Sequence, residues 1–283
     1  MSTLYVLGNG FDLHHGLPTS YKEHLKPLAC KAERFPGEWE SYSFDGDLWS
    51  NVEELLARPD LDVVLEHLDQ WAPDLLSERE SDRDAIIHEA EQLLGFPLED
   101  FARGADDALA STAPLPKFAG LFGPDDHFLT FNYTHTLQWL YGVPPERILH
   151  LHGEVGASRL ILGYEPGSLQ GAAVLAQFDH EETFEFYHSR AYDAVRQRLE
   201  EFEKAYQHDA LTEFVRRMPQ PPDRIVVFGH SLGRVDKPYF ERLARAFEHA
   251  EWTVTAHDEE TLGAVCHAMD AFGLGVAYES HVL

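Results

Sequence analysis

Leu4-Tyr5-Val6-Leu7-Gly8-Asn9-Gly10-Phe11-Asp12 decides how the chain is read. Four apolar residues run straight into Gly-Asn-Gly, the pattern of a buried strand entering a tight turn. Three later stretches repeat the pattern of an apolar run stopping at a polar motif. They are Thr130-Phe131-Asn132-Tyr133-Thr134, His150-Leu151-His152-Gly153 and Gly229-His230-Ser231-Leu232. Each reads as a loop at the end of a strand, and open α/β sheets bind ligands in the crevice outside the carboxyl ends of their strands. Four such loops converging on one crevice would make a nucleotide site.

Working outward, Ser20-Tyr-Lys-Glu23 and Ser50-Asn-Val-Glu53 have capping-box spacing and predict helix starts. Residues 33–46 read as a loop. From Leu55 to about Ser111 the pattern is helical, with Ile86, Ala90, Leu93 and Leu94 on one face. Strands are predicted at 127–131, 148–152 and 160–162. Thr134 is expected to cap a helix that Gly142 and Pro144 stop. One or two charged helices are expected over 181–218, ended by Pro219, Pro221 and Pro222. The last third alternates strand 225–228, helix 237–248 opened by Asp236, strand 252–256, helix 259–272 and a strand at 276–278. The expected architecture is a single α/β domain over 1–283 with a mostly parallel sheet. Helical insertions are expected at 30–120 and 171–222.

Composition narrows the function. With 49 acidic against 22 basic residues the formal charge is −27, which repels phosphate backbones and argues against nucleic-acid or anionic-membrane binding. The 44% hydrophobic content suffices for a core. Cys30 and Cys266 are the whole cysteine complement, so neither a disulfide framework nor a thiolate zinc module is expected. The N-terminus lacks a signal-peptide pattern and no uncharged stretch is long enough for a bilayer, so a cytoplasmic location is expected.

Each motif has two readings. Gly8-Asn9-Gly10 is half of a dinucleotide fingerprint, or only a turn. Asp12 is unusual beside phosphates, and its carboxylate would accept hydrogen bonds from its own loop or from ribose hydroxyls. Asn132 fits a ligand contact or the satisfaction of loop backbone. His150 and His152, two apart on a strand, would face the same side. That suits metal ligands or one catalytic histidine with a structural neighbour, and no co-ligand is evident. Gly229-His230-Ser231-Leu232-Gly233 matches the nucleophile elbow of a serine esterase, with Asp258 and His267 or His281 in the right order. Against that, Arg234-Val235-Asp236 separate the serine from the next helix.

Together the four motifs resemble the sirtuin family. Gly8-Asn9-Gly10-Phe11-Asp12 with Gly16-Leu17-Pro18 is similar in spacing to its glycine-rich first motif. Thr130-Phe131-Asn132-Tyr133-Thr134, His152-Gly153 and Gly229-His230-Ser231-Leu232 follow in the family's order. Asp12 stands for a serine, Thr134 for an aspartate, and the four zinc cysteines are absent, which counts against protein deacylation. The likeness is closer to the sirtuin-like AbiH abortive-infection family, through Leu-Gly-Asn-Gly-Phe-Asp-Leu, Phe-Asn-Tyr-Thr-His-Thr-Leu, His-Leu-His-Gly and Phe-Gly-His-Ser-Leu-Gly.

The resemblance implies a Rossmann core that takes NAD as substrate, without a metal. It implies cleavage of the N-glycosidic bond in antiphage defence by NAD depletion, with Asn132 and His152 catalytic. Gly8, Asn9, Gly10, Phe11, Asp12, Pro18, Thr130, Phe131, Gly229, His230, Ser231 and Leu232 are then expected to line the nucleotide site. In that reading Gly8 to Gly10 hold the pyrophosphate and Ser231 contacts a phosphate or ribose. The rival expectations are a non-catalytic NAD or ADP-ribose sensor, an ADP-ribosyltransferase and, last, the serine esterase. A homo-oligomer or a regulatory partner protein is compatible with all of them.

Overall fold

A computed structural model describes residues 2–32, 46–71, 84–92, 95–171 and 183–282. Within them lies a six-stranded, all-parallel sheet. Its strands are β1 (Thr3–Leu7), β2 (His127–Thr130), β3 (Ile148–His150), β4 (Arg224–Phe228), β5 (Glu251–Ala256) and β6 (Tyr278–Val282), in the order β3-β2-β1-β4-β5-β6. The chain walks outward from β1 to β3 and returns to the other side of β1 for β4. The carboxyl ends of β1 and β4 therefore flank the topological switch point, where open sheets of this order bind ligands.

Both faces of the sheet are covered, so the central strands can be apolar throughout. Leu4 and Val6 of β1 enter one core cluster with Leu129, Ile225, Val227, Trp252 and Val254. Tyr5 and Leu7 enter the opposite cluster with Phe11, Phe118, Phe128 and Phe228. That split follows the period of two of a strand and explains why Leu4 to Leu7 carries no polar residue.

The chain divides into two compact units, Met1–His24, Leu98–Ile161 and Tyr206–Leu283 in the first, Leu25–Pro97 and Leu162–Ala205 in the second. The first holds the sheet with α1 (Asn9–His14), α6 (Leu98–Leu109), α7 (Thr136–Tyr141), α9 (His208–Arg217), α10 (Lys237–Ala246) and α11 (Glu259–Phe272). The second is helical, with α2 (Lys26–Ala32), α3 (Val52–Leu55), α4 (Leu61–Asp69), α5 (Ala85–Gln92) and α8 (Thr183–Glu200). Leu61, Val64 and Leu68 bury one face of α4, and Ile86 and Ala90 one face of α5. Lys204 is fully buried there and paired with Glu53 at 2.9 Å, the condition under which an interior charge is tolerated. The helical insertion read from sequence thus resolves into a unit that closes at Pro97, while α6 belongs with the sheet.

Several local expectations change. Residues 160–162 form no strand; beyond them Tyr164 bridges to Glu203. The last strand lies at Tyr278–Val282 rather than 276–278. Ser20 does accept from the Glu23 N–H at 3.2 Å, and the turn it opens is wound as a π-helix, Tyr21–Leu25. Ser50 caps nothing: Asp47 caps the 3-10 turn Leu48–Ser50, and Asn51 precedes α3. Gly142, in left-handed conformation, ends α7, and Gly273 ends α11. The loop expected at 33–46 and the pair Leu93 and Leu94 fall almost wholly outside the described residues.

Candidate functional site

The four motif loops meet at the carboxyl ends of β1, β2, β3 and β4. The first and last are packed backbone on backbone. A Cβ added to Gly8 would sit 2.5 Å from the His230 Cα, and one added to Gly10 would sit 2.6 Å from the Gly229 Cα. Gly229 reciprocates with φ +60, the left-handed region glycine favours. The Gly8 N–H donates to the Phe228 carbonyl (3.0 Å), that of Gly10 to the Gly229 carbonyl (2.8 Å), and that of Phe11 back to Gly8 (3.0 Å). These amides, which the sequence assigns to a pyrophosphate, are committed within the protein and close the floor of the switch point. Asn9 donates from Nδ2 to the Thr19 carbonyl (2.8 Å) and ties the half-buried Pro18 loop to the turn.

Asp12 is buried beneath this turn. Thr134 Oγ1 donates to Oδ2 (2.6 Å) and Thr136 Oγ1 to Oδ1 (2.8 Å). Burial pushes the Asp12 carboxyl up to about 6 from 3.8, and the hydroxyls of Thr134 and Thr136 pull against that rise. The partners of Asp12 are therefore these two threonines and the Asn132 side chain, not its own loop. Thr134 does not cap α7 as the sequence suggests; its hydroxyl is spent on Asp12, and His135 takes the cap position without a side-chain bond.

The second loop hangs from the first. Asn132 is buried, its Nδ2 donates to the Gly8 carbonyl (3.1 Å), and its N–H donates to the Thr130 hydroxyl (3.1 Å). Phe131 turns the other way and presents its ring to both His152 (centroids 4.9 Å apart) and His230 (4.2 Å).

His150 and His152 do not share partners. β3 ends at His150, and the turn that follows breaks the strand alternation the sequence implied. His150 donates from Nδ1 to the Asn132 carbonyl (3.0 Å) and accepts from Gln138 at Nε2 (2.9 Å). Burial holds its imidazole below the usual histidine value. It is a brace for the Asn132 loop. His152 is itself buried, and its Nε2 lies 3.3 Å from Asp236 Oδ1. The other oxygen of Asp236, Oδ2, lies 3.4 Å from Nε2 of His230. One buried carboxylate thus faces two buried imidazoles.

Asp236 and Thr136 escaped the sequence reading because each carries a commoner explanation, a helix start and a helical β-branched residue. A second group was missed too. Asp106 accepts from the His135 N–H (2.8 Å) and faces its ring, while Glu154 takes the other ring nitrogen (3.0 Å) and the Gln138 amide (3.2 Å). The spacing of His135, Gln138 and Glu154 around two motifs was the only signal available.

The elbow geometry is not that of a serine nucleophile. Ser231 is exposed, and the left-handed residue is its neighbour Leu232 (φ +54), which buries its side chain in the core. A 3-10 turn, Arg234–Asp236, then separates the serine from α10. Asp258 caps α11 through the Thr261 N–H (2.7 Å). Among the described residues no cluster of three His, Cys, Asp or Glu side chains has a metal-binding arrangement, and no helix is long and apolar enough to cross a membrane.

Residues 4–256 match the family model described as bacteriophage abortive infection AbiH. The chain belongs to the AbiH family. That membership, carried by a match that includes all four motif loops, implies a role in phage abortive infection. No individual curated protein matches the chain.

Proposed function

We propose that this AbiH protein cleaves the bond between nicotinamide and ribose in NAD, so that abortive infection proceeds by NAD depletion. One observation carries the reading. Asn132, anchored on Gly8, and His152, held against Phe131, belong to the loops that follow two adjacent strands, β2 and β3, at the ligand-binding end of an open parallel sheet. These are the residues that the sirtuin resemblance makes catalytic. The fold and the family leave the reaction open; a carboxamide and an imidazole on adjacent strand-end loops support this one.

In this reaction the C1′–nitrogen bond breaks, the electron pair leaves with nicotinamide, and C1′ becomes an oxocarbenium-like centre. Water adds to C1′ and His152 takes its proton as general base. Asn132, already fixed through Nδ2, orients that water or a ribose hydroxyl through Oδ1. The Gly8 and Gly10 amides are bonded to the Phe228 and Gly229 carbonyls, so those two shape the crevice instead of holding a phosphate. Ser231, exposed in the loop after β4, would meet a phosphate or ribose.

Incubating the purified protein with NAD and quantifying nicotinamide and ADP-ribose tests the reading. Equal release of both is expected, falling about 10²–10⁴-fold in His152→Ala. Label retained on a macromolecule would show transfer in place of hydrolysis. Binding without turnover would show a sensor. Full activity in a folded His152→Ala protein would remove His152 from the mechanism.

A further inference from the structure

Asp236 is a buried carboxylate that the proposed reaction has not yet used. Its position is a helix start, where an aspartate ordinarily caps the first turn, yet its side chain makes no capping bond to α10. The stabilisation of a cap is given up, and the carboxylate is turned into the protein instead. Its side chain is 5% exposed and meets two imidazole nitrogens, His152 Nε2 at 3.3 Å and His230 Nε2 at 3.4 Å. An interior carboxylate is costly unless donors face it. Such contacts are commonly long before substrate arrives.

The state of the second imidazole is fixed by the backbone. The Leu232 N–H donates to His230 Nδ1 at 2.8 Å, so Nδ1 is the acceptor nitrogen and the proton sits on Nε2. The nitrogen that carries it lies 3.4 Å from Asp236 Oδ2. For His152 the argument is electrostatic: Nε2 lies 3.3 Å from the remaining oxygen, a contact that is not a closed hydrogen bond. An acceptor nitrogen facing a carboxylate oxygen at that distance is repelled, so the proton is favoured on Nε2. Phe131 lies edge-on to both rings, at 89° and 73°, and limits their rotation.

We propose that Asp236 is the positioning residue of this site, holding His152 in the Nε2–H tautomer so that Nδ1 is the nitrogen that receives the proton. The identity of that proton rests on the NAD-cleavage reading; the tautomer does not. When water adds to C1′, its proton passes to Nδ1. The imidazolium that results keeps Nε2–H against Asp236, whose charge stabilises it. His230, held by Leu232, is the second donor that faces Asp236 and fixes its orientation.

Long-range proton–nitrogen NMR on the full chain carrying 15N-histidine, without nucleotide, reads the tautomers directly, with His152→Gln assigning the signal. The wild type is expected to carry the His152 proton on Nε2. In Asp236→Asn the orientation of the carboxamide is expected to follow His230. Its locked Nε2–H takes the carboxamide oxygen, the Nδ2 group then faces His152, and the His152 proton must move to Nδ1. Turnover of NAD in this variant is expected to fall by about 10²–10⁴-fold in kcat with KM little changed.

A wild-type His152 protonated on Nδ1, or a His152 whose proton stays on Nε2 in Asp236→Asn, overturns the proposal. If Asp236→Asn fails to fold, the wild-type tautomer alone decides. A wild type with the expected tautomer that releases no nicotinamide from NAD would refute the cleavage reading and leave the positioning role standing.

Discussion

Replacing Asp12 by Asn should make the protein more stable at alkaline pH and leave it unchanged at acid pH. The carboxyl is 1% exposed and lifted by burial from 3.8 to about 6. A folded-state value above the unfolded one means that the native chain binds more protons than the unfolded chain between about pH 4 and 6. Stability therefore falls as pH rises through that window, and the loss is complete above it. A lift of this size corresponds to about 3 kcal/mol at 1.36 kcal/mol per unit.

Asn removes the charge without orphaning its neighbours. Its Nδ2 can donate to one threonine hydroxyl while Oδ1 accepts from the other. The 3.0 Å contact between Thr134 Oγ1 and Thr136 Oγ1 closes the ring of donors and acceptors. Urea unfolding of both proteins across about pH 4 to 8 should give curves that coincide within about 1 kcal/mol at the acid end. At the alkaline end they should diverge by about 3 kcal/mol in favour of Asp12→Asn. Parallel curves, or a variant less stable at pH 8, would refute the claim that the Asp12 charge is held against its desolvation cost. If the gain appears and nicotinamide release falls, the charge is kept for function, in line with the trade between stability and activity at such sites.

The same network and the glycine contact give further expectations. Thr134→Val removes a hydroxyl that lowers the Asp12 value, so the pH at which stability declines should move upward. It should also cost about 1–3 kcal/mol for the oxygen left without its donor; an unmoved pH profile would place that hydroxyl elsewhere. Gly10→Ala would drive a Cβ to 2.6 Å from the Gly229 Cα, and overpacking of this kind costs about 1–3 kcal/mol in urea unfolding; a neutral substitution would contradict the close approach of the two loops. Ser231→Ala should weaken nucleotide binding by about 0.5–1.5 kcal/mol, one neutral hydrogen bond. A covalent adduct on Ser231 after treatment with a serine-directed phosphonate, with ester hydrolysis lost in parallel, would restore the esterase reading.

Much of the frame was legible in the chain. Leu4 to Leu7 announces a strand covered on both faces, and the alternation of strands and helices from Arg224 onward follows from apolar period and from Asp258, Gly273 and Pro238 at helix ends. Those signals are local, because caps, turns and periodicity act within a few residues of one another. The failures are local signals overruled by distant partners. Thr134 looks like a cap until Asp12 claims its hydroxyl, and Asp236 looks like one until His152 and His230 face it. Residues 160–162 look like a strand and find no strand to pair with.

The sequence by itself determined which loops stand at strand ends, and hence that Gly8, Asn132, His152 and Gly229 belong to one edge of a parallel sheet. Tertiary structure decided what each does there. Gly8 and Gly10 serve the contact with Gly229 because β1 and β4 are neighbours across the switch point, a pairing of residues more than two hundred positions apart. His150 braces while His152 faces Asp236, because β3 ends between them. A side chain's partner is set by where the chain returns after folding, and no spacing along the sequence encodes that distance.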